Sequence, residues 1–124
     1  MINFENAKFV KLRPVNEEKH IRTLMPMLME GEQVIESFQA IRDYVVFTNK
    51  RIIAVNVQGL TGKKQDFTSL PYKTIQAFSV ETAGVLDLDA ELELWFAGLG
   101  KVRYEFTART KISTICKMIS ENFL

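Results

Sequence analysis

The spacing of apolar residues along this chain changes near residue 32, from a helical period to a strand period. Before it, Ile21, Leu24, Met25, Leu28 and Met29 fall on one helical face, and Gly31 stands where such a run ends. Asn16 ahead of Glu17 and Glu18 supplies a capping residue and then acids suited to the positive end of a helix dipole. Pro26 interrupts the pattern by removing a backbone donor, so this region predicts two short helices, the second starting near Met25. Residues 1–15 mix Phe4, Phe9, Val10 and Leu12 with Lys8, Lys11 and Arg13 and close at Pro14, which predicts a short helix or a docked arm.

From Glu32 onward the pattern is strand-like. Residues 33–41 alternate imperfectly, and only Arg42-Asp43 separates them from the run Tyr44-Val45-Val46-Phe47. That run and Ile52-Ile53-Ala54-Val55 flank Thr48-Asn49-Lys50, predicting an antiparallel hairpin with a very tight connection. Residues 58–64 form a loop with two glycines, 65–70 a strand ended by Pro71, and 74–82 another strand. Residues 83–89 read as a turn or a longer excursion. Leu92, Leu94 and Phe96 alternate with Glu91, Glu93 and Trp95, then Val102, Tyr104 and Phe106 with Lys101, Arg103 and Glu105, around a turn at 97–100. Trp95 therefore lies on the polar face and should point outward. Thr107 or Thr110 can cap a last helix whose stripe of Ile112, Ile115, Cys116, Ile119 and Phe123 has the open side of the sheet to cover.

About seven antiparallel strands followed by one amphipathic helix suggest a small bent sheet plugged at its open end, which is the pleckstrin-homology (PH) architecture. The stretch Tyr44-Val45-Val46-Phe47-Thr48-Asn49-Lys50-Arg51-Ile52-Ile53 resembles the apolar-Thr-Asn/Asp-Lys-Arg-apolar hairpin of bacterial PH-like domains. The segment from Gln65 through Tyr72, the strand Ile75 to Glu81 and Gly84 are similar to the same pattern, so the resemblance spans roughly residues 28 to 123. It implies a mostly β fold with helices: a PH-like barrel or bent antiparallel sheets of about seven strands, capped by a C-terminal α-helix. Residues 1–30 would be a helical extension packed on a PH-like domain of residues 31–124. It further implies a binding or assembly module without catalysis, arranged as a ring-shaped homo-oligomer, pentameric in this type.

Composition adds boundaries. A chain of 124 residues is the size of one domain and needs no staples to build a core. Sixteen Lys and Arg against fifteen Asp and Glu leave a net charge of +1, which gives no bulk drive towards nucleic acid or an anionic surface. The nine Phe fall mostly in strand-like runs and read as core. One cysteine, Cys116, has no internal disulfide partner and no metal-ligand spacing, so a cytoplasmic setting is the expectation. No apolar stretch approaches the ~18 residues of a bilayer span, and the start lacks the pattern of a signal peptide.

No set of acid, base and nucleophile stands out, so the reading is of a non-enzyme with no cofactor and no metal. His20 lacks a second ligand and reads as a surface residue, and Cys116 reads as a packed thiol. Phosphoinositide recognition by this architecture depends on several cations between its first two strands, and Arg42-Asp43 supplies one beside an acid. Lys50 and Arg51 at the hairpin tip and Lys63 and Lys64 in the glycine-containing loop are the remaining candidate anion contacts, each more readily explained as a turn or loop residue. Trp95 with Glu93, and Leu24 with Leu28, are candidate oligomer surfaces, although the helix face can also dock on its own sheet. The leading expectation is a homo-oligomeric scaffold for an unidentified protein partner; a peripheral membrane or lipid-headgroup binder using Lys50, Arg51, Lys63 and Lys64 is the alternative.

Overall fold

The structure, a computed structural model, describes residues 1–5, 9–16, 18–82, 89–107 and 110–123. Its strands are β1 (Phe9–Pro14), β2 (Val34–Gln39), β3 (Tyr44–Thr48), β4 (Arg51–Gln58), β5 (Lys64–Pro71), β6 (Ile75–Thr82), β7 (Ala90–Phe96) and β8 (Gly100–Phe106). Helix α1 (Glu18–Leu24) runs into a 3₁₀ turn (Met25–Met27), and α2 (Ile112–Phe123) closes the chain. Pro26 thus marks the predicted break between two short helical pieces, the second tighter than an α-helix.

Hydrogen bonding orders the strands β5-β4-β3-β2-β1-β8-β7-β6. Two antiparallel runs, β2 to β5 and β6 to β8, are joined through β1. This strand pairs antiparallel with β2 at Arg13↔Gln39 and parallel with β8 at Phe9↔Tyr104 and Leu12↔Phe106. The Val15 N–H to the Ser37 carbonyl (3.0 Å) and the Thr107 N–H to the Leu12 carbonyl (2.9 Å) extend the seam on both sides.

Eight strands stand among the described residues where about seven were expected, and the extra one lies in the segment read as a short helix or docked arm. The cause is local. Lys11 has φ of 53°, a left-handed conformation, and the register against β8 shifts between Phe9 and Leu12. The bulge places the buried residues Phe9 and Leu12 three apart, which is helical spacing, so the period of two is hidden. The proposed helical extension of residues 1–30 is therefore part strand, built into the sheet.

The main core lies between the two runs. Phe38 meets Phe106 (ring centroids 4.9 Å, 70°) and Phe47 (5.7 Å, 89°), and Phe9 meets Tyr104 (5.4 Å, 71°), all edge to face. Ile112, Ile115 and Ile119 enter this core as the helical stripe predicts, and Met118 joins them. Cys116 packs beside them half-buried, and burial pushes its thiol pKa up. The Thr110 hydroxyl is buried without a partner among the described residues, so it is not the cap of α2. The side chain of Phe123 and the expected excursion at 83–88 lie outside the described residues.

All five residues of β3 are buried. Val45 and Phe47 face the main core, while Tyr44 and Val46 join Ile53, Val55 and Leu24 in a second cluster on the opposite face. The continuous apolar run Tyr44 to Phe47 follows from this: a strand covered on both sides has no wet face to alternate with.

Candidate functional site: a hairpin knot and two exposed surfaces

Strands β3 and β4 are joined by Asn49 and Lys50 alone. Tight hairpins usually need positive φ in the turn, yet neither residue has it. Side chains hold this turn instead. The Thr48 hydroxyl accepts the N–H groups of Lys50 and Arg51, each at 3.0 Å, and donates its proton to Glu32 Oε2 at 2.7 Å. Asn49 accepts the Gln33 N–H at 2.8 Å and donates to the Gly31 carbonyl at 3.1 Å. The Tyr72 hydroxyl donates to the Thr48 carbonyl at 2.7 Å.

Arg51 completes the knot. Its guanidinium grips Glu32 with two bonds (2.9 and 3.0 Å), reaches Ser69 Oγ at 3.0 Å and donates to the Met27 carbonyl at 2.8 Å. The Glu32 side chain is wholly shielded from solvent. Desolvation pushes its pKa up, but Arg51, the Met29 N–H and the Thr48 hydroxyl together outweigh that and hold the carboxyl below its usual range. The Thr-Asn-Lys-Arg stretch thus ties residues 27–33 to three strands. Four of Arg51's five donors are spent within the chain, and Lys50 is exposed. Glu32 was not singled out by sequence pattern, since a lone acid after Gly31 looks like any loop residue.

The four cations proposed as anion contacts do not converge. Lys64 pairs with Gln58 at one end of β4, and Arg51 stands at the other. That strand is eight residues long, so the two ends are about 23 Å apart. Lys63 and Lys64 are exposed in the β4–β5 region, away from Lys50 and Arg51.

The candidate oligomer residues divide differently. Leu24 is fully buried on its own β3 and β4 and has no surface to give a second copy; Leu28 packs half-buried beside it. Their neighbours Met25 and Met29 carry the exposure of that segment, at 61% and 62%. His20 is not a free surface side chain: its ring stacks on Tyr44 at 3.7 Å and its Nε2 lies 3.3 Å from Gln39 Oε1. Trp95 points outward with half its surface exposed, opposite Lys101 and Ala77. Glu93 lies beside it, 3.9 Å from Lys101. Trp95 borders an open groove of about 1140 Å³ whose apolar wall includes Phe4, Val10 and Leu99 and whose charged rim includes Lys11 and Lys101.

Among the described residues, no three His, Cys, Asp or Glu side chains gather as a metal site, and no helix is long and apolar enough to cross a membrane. A bent sheet, a plugging C-terminal helix and this hairpin define a PH-like domain. The chain belongs to the family described as "Bacterial PH domain", whose model matches residues 3–123. The uncharacterized protein YjqA of Bacillus subtilis (strain 168) is 45% identical over 117 residues, 93% of this chain and 90% of YjqA. Among solved structures, the DUF1696 family protein with a pleckstrin-homology domain from Shewanella loihica PV-4 is similar at 40% identity and a TM-score of 0.79. That match covers 93% of this chain and 99% of the other. The pleckstrin homology domain from Shewanella amazonensis SB2B is 40% identical with a TM-score of 0.65, over 89% of this chain and 90% of that one.

Proposed function

We propose that this protein is a non-enzymatic assembly module of the cytoplasm, a PH-like unit that builds a symmetric homo-oligomeric ring and serves as a scaffold for protein partners. One observation carries the reading: the chain's single tryptophan, Trp95, sits half-exposed on a sheet face beside an open groove with apolar walls. Aromatic side chains held rigidly at a surface are the usual anchors of protein contacts. A ring needs two different patches on each subunit, because a cyclic contact beyond a dimer is heterologous. The Trp95 face offers one, and the exposed Met25 and Met29 shoulder on the other run of strands offers the second.

Light scattering on purified Trp95→Glu tests this directly. The variant should lose mass relative to the parent while keeping its far-UV circular dichroism and melting temperature, and Trp95→Phe should retain the parent mass. An unchanged mass for Trp95→Glu would remove Trp95 from the interface.

A further inference from the structure

Methionine is among the side chains most often fully buried, yet three of this chain's five stand on the surface within five residues: Met25 at 61%, Met27 at 43% and Met29 at 62% exposure. The fold turns them outward by anchoring the leucines around them. Leu24 and Leu28 pack into the second cluster, against β3 and β4. Leu28 is extended (φ −76°, ψ 141°), so Met27 and Met29 on either side of it leave on the face opposite its own. The Leu28 N–H donates to the Met25 carbonyl at 3.1 Å, which closes the 3₁₀ turn and keeps Met25 within one turn of Met27.

The hairpin knot holds the main chain that carries them. Arg51 donates to the Met27 carbonyl at 2.8 Å, the Met29 N–H donates to Glu32 Oε1 at 3.0 Å, and the Glu32 N–H returns to the Met29 carbonyl at 3.0 Å. Pro26 stiffens the turn between Met25 and Met27. The Arg51 charge beside this segment is compensated by the Glu32 carboxylate it grips. Residues two apart lie at most about 7 Å from Cα to Cα, and each thioether swings on three rotatable bonds, so the sulfurs of such a trio reach one point. Thioether sulfur is a soft, uncharged donor that selects Cu(I) over hard cations. Leucine would serve a surface built only to bury apolar area; methionine adds a metal donor that leucine lacks.

We propose that Met25, Met27 and Met29 form a thioether site for a soft univalent cation, Cu(I), at one ion per chain. The site does not rest on the assembly reading, although Met25 and Met29 also provide its second patch. Silver(I) is the probe, because it shares the charge and softness of Cu(I) without its redox chemistry. The full chain, labelled with ¹³C at its methionine methyls, is titrated with Ag(I) as the parent and as Cys116→Ala, which removes the half-buried thiol as a competing donor. The methyls of Met25, Met27 and Met29 should shift together in both, with an end point of one ion per chain in Cys116→Ala, while those of Met1 and Met118 stay in place. Cu(I) added without oxygen should shift the same three, and Zn(II) none. Met25→Leu/Met27→Leu/Met29→Leu conserves volume, so it should keep the parent melting temperature while Ag(I) affinity falls by about tenfold or more. Because leucine preserves the apolar shoulder, the mass of that variant by light scattering reports the assembly reading separately, and Trp95→Glu should give the parent's Ag(I) titration. An equal shift at the exposed Met1, a response from one methionine of the three alone, a response to Zn(II), or undiminished affinity in the triple leucine variant would overturn the site.

Discussion

Glu32 and Arg51 form the contact on which the hairpin end depends. The carboxylate is wholly shielded and the guanidinium mostly so, and Arg51→Ala would leave the acid in the protein without its counter-charge. Loss of about 3 kcal/mol is expected, read from urea denaturation. The pair also sets a pH dependence. Because the folded pKa of Glu32 lies below its ordinary 4.5, the unfolded chain takes up a proton first as the solution is acidified. Its contribution is therefore complete above pH 4.5 and is lost as pH falls through the folded value. Glu32→Gln should flatten the stability profile in that acidic window and lower stability above it. A profile as steep as the parent's would show that other carboxylates carry the effect. None of this was legible beforehand, because a hydrogen-bonded hub joins residues distant in sequence and leaves no periodic trace.

Among elements, β1 is where sequence and structure part most. Its left-handed Lys11 shifts the register, so a strand that links two sheets reads as an unpatterned arm. Glycine should fit that conformation without loss: Lys11→Gly is expected to be neutral or stabilising by up to about 1 kcal/mol, whereas Val10→Gly should lose about 1 kcal/mol. Thermal melts of the two variants decide it, and equal losses would remove the bulge from the explanation. The period held where one face of an element is wet; in β6 the register shift between Ile75 and Ala77 leaves Ala77, expected near the core, exposed. The β7–β8 hairpin keeps a clean alternation because one of its faces is wet, and Trp95 lies on that face as expected. The α2 stripe emerged for the same reason, one face buried and one solvated. In α1 the pattern marked Leu24, which is buried, but the helix stops there, and Met25 and Met29 of the same expected face are exposed; whether Leu24 would meet its own sheet or a neighbour depends on where β3 and β4 lie, which spacing along a helix does not encode.

For the molecule as a whole, the family-resembling hairpin proves to be an internal fastening, and the surfaces free for partners lie elsewhere: the Trp95 face and the Met25 shoulder. Burial of Leu24 moves the second assembly surface of the proposal to its exposed methionine neighbours. The division of charge is equally a whole-molecule property: a net of +1 conceals cations held about 23 Å apart at the two ends of β4. Under the proposed function this chain assembles with itself into a closed ring. Multi-angle light scattering of the parent protein at micromolar concentration decides between ring and single chain. One species is expected, with a mass that is an integer multiple of the single-chain mass greater than two, five being the number the resemblance implies; a monomer would rule the ring out.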